Sequence, residues 1–367
     1  MRKTKVIINK SNLIHNLNFI RSKVEGRKII GVVKANAYGH GAVEVSKVLI
    51  ENGVSALAVA YSEEGVILRK AGINVPIIVL VQQPVEDIDD IIAYDLEPAV
   101  GSIGFCEVLS DKALKNNKHI NVHLFLDTGM NRDGISPHQV LEFMQKTKDL
   151  RGIRFEGILT HFSSSVIDGD YSHFQLDSFS STLRLLLDNG FSFDLIHIAS
   201  SATMINYREA YYDAVRVGIA LYGYAPDERI KYKYDLKPVL SLKSNVVLVR
   251  RIKKGDSVSY NRLWVADKDT NIATIPIGYG DGYFKTLSGK TECIINNKKY
   301  PIVGAICMDE LMVNVGDDEV QVGDECILIG KSESHEITAF DLANKIGTIP
   351  YEVTTLIAPR VPRIYID

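Results

Sequence analysis

Eight short apolar runs, each followed by an amphipathic stretch, occupy the first 225 or so residues of this 367-residue chain. The runs fall at 28–33, 55–60, 76–81, 96–100, 119–126, 154–160, 194–199 and 213–217. Helical periodicity fills the segments between them, including 40–52, 62–72, 85–94, 104–117, 136–149 and 171–189. Continuous apolar runs of this length suit parallel strands covered by helices. Eight such units predict an α/β fold built as a closed (β/α)8 TIM-type barrel rather than an open doubly wound sheet. After Pro226 the texture changes. Short β-branched runs separated by Gly255-Asp256, Asn296-Asn297, Gly316-Asp317 and Gly323-Asp324 predict a mainly β C-terminal domain. The expected domains are the barrel over 10–225 and the β domain over 226–367, with an N-terminal strand within 1–9 joining the second.

A chain of this length holds about two domains with ample core. Its net charge is −3, and a nucleic-acid partner would demand a basic field that is absent here. No apolar stretch approaches the roughly 20 residues of a membrane span. Residues 1–9 lack the apolar core and small-residue cleavage site of a secretion signal. Cys106, Cys293, Cys307 and Cys326 form no Cys-x-x-Cys pair, which suits free thiols in a reducing compartment. A cytoplasmic location is expected. The nine histidines show no ligand-like spacing, so no metal is expected.

Barrel enzymes carry their chemistry at the carboxyl ends of the strands. The first strand ends at Lys34, followed by a Gly39-x-Gly41 turn into a helix. Burial there disfavours the ammonium and leaves an amine able to attack a carbonyl. The alternative is a lysine that snorkels to the rim. Other strand ends bring Arg132, His161, Ser200-Ser201 and Arg216-Val-Gly218-Ile219 to the same mouth. Each alone is more often a packing residue; their shared placement predicts a site. Backbone amides freed by Gly218, with Ser201, predict a phosphate cradle. Gly278-Tyr-Gly-Asp-Gly282 lacks the spacing of a dinucleotide loop and lies among the β runs.

Together these segments resemble alanine racemase, a pyridoxal 5′-phosphate enzyme of the barrel type. The motifs are Val33-Lys34-Ala-Asn-Ala-Tyr38-Gly-His-Gly41, Asp127-Thr-Gly-Met-Asn-Arg132, Thr160-His161-Phe162 and Arg216-x-Gly218-Ile219. They continue with Ser257-Val-Ser-Tyr260, Cys307-Met308-Asp309, Tyr351-Glu-Val353 and Arg360-Val-Pro-Arg363. The resemblance implies that Lys34 holds the cofactor as a Schiff base. Tyr38, Ser201, Gly218, Ile219 and Tyr351 would bind its phosphate. Arg216 would face the pyridine nitrogen, with His161 and His197 completing a hydrogen-bond chain. Arg132 and the Met308 backbone would hold the substrate carboxylate. Tyr260 would come from a second subunit, making a homodimer with shared active sites. Racemisation needs an acid/base on each face of a planar carbon, and the resemblance gives those roles to Lys34 and Tyr260.

Three regions depart from the family pattern. Phe125 stands where many relatives carry a carbamylated lysine, so another anion, a water or a rearranged Arg132 must substitute for the carboxylate that orients Arg132. Ser200 replaces an asparagine. Ala305 and Glu310, around Cys307-Met308-Asp309, replace an arginine and a glutamine. The activity so implied is interconversion of L- and D-alanine, supplying D-alanine for peptidoglycan. Serine or a broader range of small amino acids is the nearest alternative. A pyridoxal-phosphate decarboxylase is opposed by Tyr260 and the lysine motif, and a non-catalytic cofactor carrier by the full β domain.

Overall fold

Short β-branched runs form the strands of a parallel sheet in the computed structural model, which describes residues 3–367. After an N-terminal strand β1 (Lys5–Asn9), the sheet comprises β2 (Lys28–Val32), β3 (Ala56–Val59), β4 (Ile77–Val79), β5 (Glu97–Val100), β6 (Ile120–Phe125), β7 (Ile153–Leu159), β8 (Leu195–His197) and β9 (Ala214–Val217). Neighbours follow chain order from β2 to β8, and β9 returns to pair with β2. Between β8 and β9 the Ala199–Val215 bridge and the Arg216 N to Ala199 O hydrogen bond bring the edges together. The (β/α)8 architecture is therefore as expected, with each of the eight runs at a strand.

The amphipathic stretches form the intervening helices. The longest, Gly169–Asp188, begins where the Asp168 carboxylate accepts the Tyr171 amide at 2.9 Å. That cap satisfies an end amide that has no intrahelical partner. Leu176, Phe179, Leu183 and Leu186 recur at helical spacing on its buried face.

The remaining strands belong to a ten-stranded sheet and a two-stranded ribbon. β1 lies in the larger sheet, antiparallel to Leu240–Asn245 and parallel to Arg363–Ile366. Residues 1 and 2 of the expected N-terminal segment lie outside the described residues. The mainly β character holds, but this region also carries helices at Ala339–Ile346 and Pro350–Thr355 that the run pattern did not show. The first is capped by Thr338 and Asp341, each accepting from the other's amide.

By internal contacts the chain forms two units. One comprises residues up to Leu13, Tyr38–His40 and Lys237–Asp367; the other comprises Ile14–Ala37 and Gly41–Leu236. Among the described residues no helix is long and apolar enough to cross a membrane.

Candidate functional site

Lys34 follows β2 after Val33 and opens a turn of unusual hand. Ala35, Asn36 and Ala37 adopt φ of 51–53° with ψ of 47–52°, so the backbone is left-handed. Each such residue is disfavoured by roughly 1–2 kcal/mol because Cβ crowds the following carbonyl. Local bonds offset that strain. Glu64 Oε1 accepts the Ala35 amide at 2.5 Å, and its Oε2 accepts the Ala60 amide at 2.7 Å. Asn36 Oδ1 accepts the Ala42 amide at 2.9 Å. In the other unit, Arg363 donates to the Gly39 carbonyl at 3.1 Å. A side chain at Gly39 would meet the Thr354 carbonyl oxygen at 2.1 Å.

The Lys34 amine is pulled below its ordinary pKa by burial, then by the Arg132 charge and more weakly by Arg216; Glu64 opposes the shift. The rim-snorkelling alternative would leave the amine solvated. Arg132 sits in a loop after β6 that Asp127 organises, its Oδ1 accepting the amides of Gly129, Met130 and Asn131 at 2.9–3.1 Å. Phe125 is buried against Ala99 and Leu159 and offers no charge. Asp133 Oδ2, on the adjacent residue, lies 3.3 Å from Arg132 Nε.

Arg216, on β9, is buried. It donates to His197 Nδ1 at 3.1 Å, to the Thr160 carbonyl at 2.6 Å and to the His197 carbonyl. Burial pulls its pKa down to about 9, which leaves it a cation at neutral pH. His197 Nε2 lies 2.9 Å from His123 Nδ1, and His123 Nε2 lies 3.1 Å from Glu97 Oε2. Arg216 is thus joined to His197 and on through His123 to Glu97, and both ring nitrogens of His197 are engaged. Burial, followed by the charges of Arg216, Arg132 and Lys34, holds His161 down to about 3. It stands at this mouth as a neutral imidazole.

The histidine contact depends on β7. His123 on β6 is in register with Gly157, and His197 on β8 with Leu159. A Cβ on Gly157 would meet His123 Nδ1 at 2.3 Å and the Leu195 carbonyl oxygen at 2.7 Å. Without it, imidazoles from two strands that are not neighbours touch across a third.

Ser201 Oγ accepts the amides of Gly218 at 3.2 Å and Ala220 at 3.5 Å, gathering a hydroxyl and main-chain donors beside the buried Ile219. Ser200 instead accepts the Thr203 amide at 3.4 Å. The other unit holds Tyr38 and Tyr351, with ring centroids 5.8 Å apart. It also holds Tyr260, 68% exposed, and Met308, 54% exposed. Tyr260, Cys307 and Glu310 line a cavity of about 620 Å³ there. Ala305 is buried and its carbonyl accepts from Ser259 Oγ at 2.7 Å. Sequence reasoning passed over Glu64, Glu97, His123, Asp133 and Gly157. A lone histidine centred in the apolar run Ile120–Phe125 was the available signal.

The chain matches the family model "Alanine racemase, N-terminal domain" over residues 8–226 and "Alanine racemase, C-terminal domain" over 239–365. It is 43% identical over 363 residues to alanine racemase 1 of Clostridium acetobutylicum, covering 98% of this chain and 94% of that protein. The solved alanine racemase of Clostridium difficile 630 superposes with a TM-score of 0.95 at 35% identity, over 100% of this chain and 96% of that one. The alanine racemase of Bacillus anthracis with bound L-Ala-P gives 0.94 at 34% identity, over 100% and 96%.

Proposed function

We propose that this chain, which belongs to the alanine racemase family of pyridoxal-phosphate-dependent isomerases, interconverts L- and D-alanine by a two-base mechanism. The observation that carries the reading is a lysine amine at a barrel mouth, its pKa lowered by burial and by two arginines. The donor set fits the cofactor. A primary amine whose charged form is disfavoured suits an aldehyde, and the Ser201 hydroxyl with the Gly218–Ala220 amides suits a phosphate. When bound, pyridoxal phosphate supplies an aldehyde for the substrate amine and a conjugated ring that spreads the charge left at Cα.

Within this reading, Ser201, Gly218, Ile219, Tyr38 and Tyr351 hold the phosphate. Arg216 donates to the pyridine nitrogen. A guanidinium does not give up its proton near neutral pH, so Arg216 would leave the ring nitrogen of a bound cofactor unprotonated and its electron withdrawal weaker. Prompt return of a proton to Cα is then favoured over competing outcomes. Arg132, oriented by Asp133, binds the substrate carboxylate, with the Met308 backbone assisting. Lys34 moves the proton on one face of Cα, its charged form disfavoured by burial and by the charge of Arg132. Tyr260 of the partner subunit serves the other face, so the working unit is a homodimer with shared active sites. The product D-alanine serves peptidoglycan, made in the cytoplasm where free Cys106, Cys293, Cys307 and Cys326 stay reduced.

Chiral analysis of products from the purified holoenzyme, using a panel of L-amino acids in heavy water, tests the reading. L-alanine should give D-alanine carrying deuterium at Cα, faster than serine or larger substrates react. Borohydride should bleach the visible absorption and leave a stable adduct on Lys34. Carbon dioxide release, an adduct on another lysine, or preferential turnover of serine would each overturn the corresponding part.

A further inference from the structure

We propose that Glu97 is a positioning residue: through His123 and His197 it fixes which nitrogen of each imidazole carries the proton, and so holds Arg216 in one orientation at the barrel mouth. The inference rests on the reading above only in giving that orientation a use.

The argument is one of proton counting. A guanidinium can only donate, and an ionised carboxylate can only accept. Arg216 Nη1–H points at His197 Nδ1, 3.1 Å away, so that nitrogen must offer a lone pair. The proton of neutral His197 then sits on Nε2 and is donated over 2.9 Å to His123 Nδ1. His123 keeps its own proton on Nε2 and donates it over 3.1 Å to Glu97 Oε2. The opposite order would set two N–H groups face to face at Arg216. Both ends of the chain therefore dictate the same direction, and every bond has one donor.

The surroundings support this assignment. The second Glu97 oxygen accepts from Asn121 Nδ2 at 3.3 Å. Burial raises the Glu97 pKa, but the hydrogen bonds from His123 and Asn121 and the charge of Arg69 pull the other way, and the carboxyl lies below its ordinary value. Burial and the charge of Arg216 hold His197 well below the ordinary histidine value, which keeps it neutral. Both imidazoles are fully buried, so water cannot substitute for a missing partner. Arg216 gives its other Nη donors to the carbonyls of Thr160, His197 and Ile198. The relay is thus what links this buried cation to a carboxylate, two rings away.

Long-range proton–nitrogen NMR on the full-length protein reads the tautomers without substrate or turnover. Both His123 and His197 should appear as neutral Nε2–H imidazoles. Glu97→Leu removes the terminal acceptor, so both rings can reverse together and turn Arg216 Nη1 away, and the His197 signals should move toward the other tautomer. Glu97→Gln keeps an accepting oxygen and should preserve them. In the holoenzyme, kcat should fall about tenfold for Glu97→Leu and less than threefold for Glu97→Gln, with KM little changed. A protonated or Nδ1–H His197 in the unsubstituted protein overturns the proposal, and that spectrum needs no variant to fold. Equal losses in both variants with unchanged tautomers overturn it as well. Failure of the racemase reading would show in the product analysis and leave the tautomer spectra untouched.

Discussion

Replacing Gly157 with alanine places one methyl group where the structure has no room for it. Its Cβ would lie 2.3 Å from His123 Nδ1 and 2.7 Å from the Leu195 carbonyl oxygen, and the second neighbour is backbone. Forcing an added group into a filled core costs about 1–3 kcal/mol. Pushing the imidazole aside also lengthens the 2.9 Å bond to His197, adding about 0.5–1.5 kcal/mol. Alanine regains roughly 0.4–1 kcal/mol by restricting the unfolded chain. The net expectation is a loss of about 0.5–4 kcal/mol, equivalent to a melting temperature lower by roughly 1–15 °C for a barrel of this size. Denaturant titration followed by circular dichroism measures it. The same substitution in a His123→Ala background should cost at least about 1 kcal/mol less, because only the Leu195 contact then remains. A loss below about 0.5 kcal/mol, or the same loss in both backgrounds, would refute the packing argument.

Three further outcomes are expected. Mixing inactive Lys34→Ala and Tyr260→Ala dimers under exchange conditions should restore partial activity; no recovery despite proven subunit exchange would mean that the sites are not shared. Activity should be independent of bicarbonate, because position 125 is a buried phenylalanine and Arg132 pairs with Asp133; loss on removing carbon dioxide would point to a carbamate elsewhere. His161, held near 3 in the folded protein against an ordinary 6.5, takes up its proton more readily when unfolded. Its contribution is therefore full above pH 6.5 and lost as pH falls from about 6.5 toward about 3, at no more than ~1.4 kcal/mol per pH unit. His161→Gln should flatten that part of the stability profile, and an unchanged slope would count against a buried neutral imidazole.

How much of this was legible beforehand follows from what each residue depends on. The eight strands announce themselves locally, since a run such as Ile120–Phe125 is apolar enough to be read without its neighbours. Lys34, Arg132, His161 and Arg216 were found because strand ends are places that periodicity locates. His123 was not, because its role depends on a glycine 34 positions later, on the next strand. Asp133 looks like an ordinary loop acid until Phe125 leaves Arg132 without a carboxylate. The helices at Ala339–Ile346 and Pro350–Thr355 are short and hidden among β-branched runs, though Thr338-x-x-Asp341 and Pro350 were local clues. The hand of the turn after Lys34 left no trace, because Ala-Asn-Ala-Tyr contains no glycine.

That turn has a consequence for how the protein tolerates change. A left-handed segment cannot be reached from its right-handed counterpart by small adjustments, since every φ from Ala35 to Tyr38 would have to change sign. The placement of the amine is therefore all-or-none rather than graded. Mutations that merely loosen the surroundings should leave Lys34 where it is until a prop such as Glu64 or Asn36 is lost, and then displace it completely. Branched side chains are shut out at positions 35 and 37 for the same reason, because bulk at Cβ adds to a crowding the mirror-image backbone already carries. Variation across this stretch should thus be confined to small residues and asparagine, a restriction imposed by chirality and owed nothing to the chemistry of the substrate.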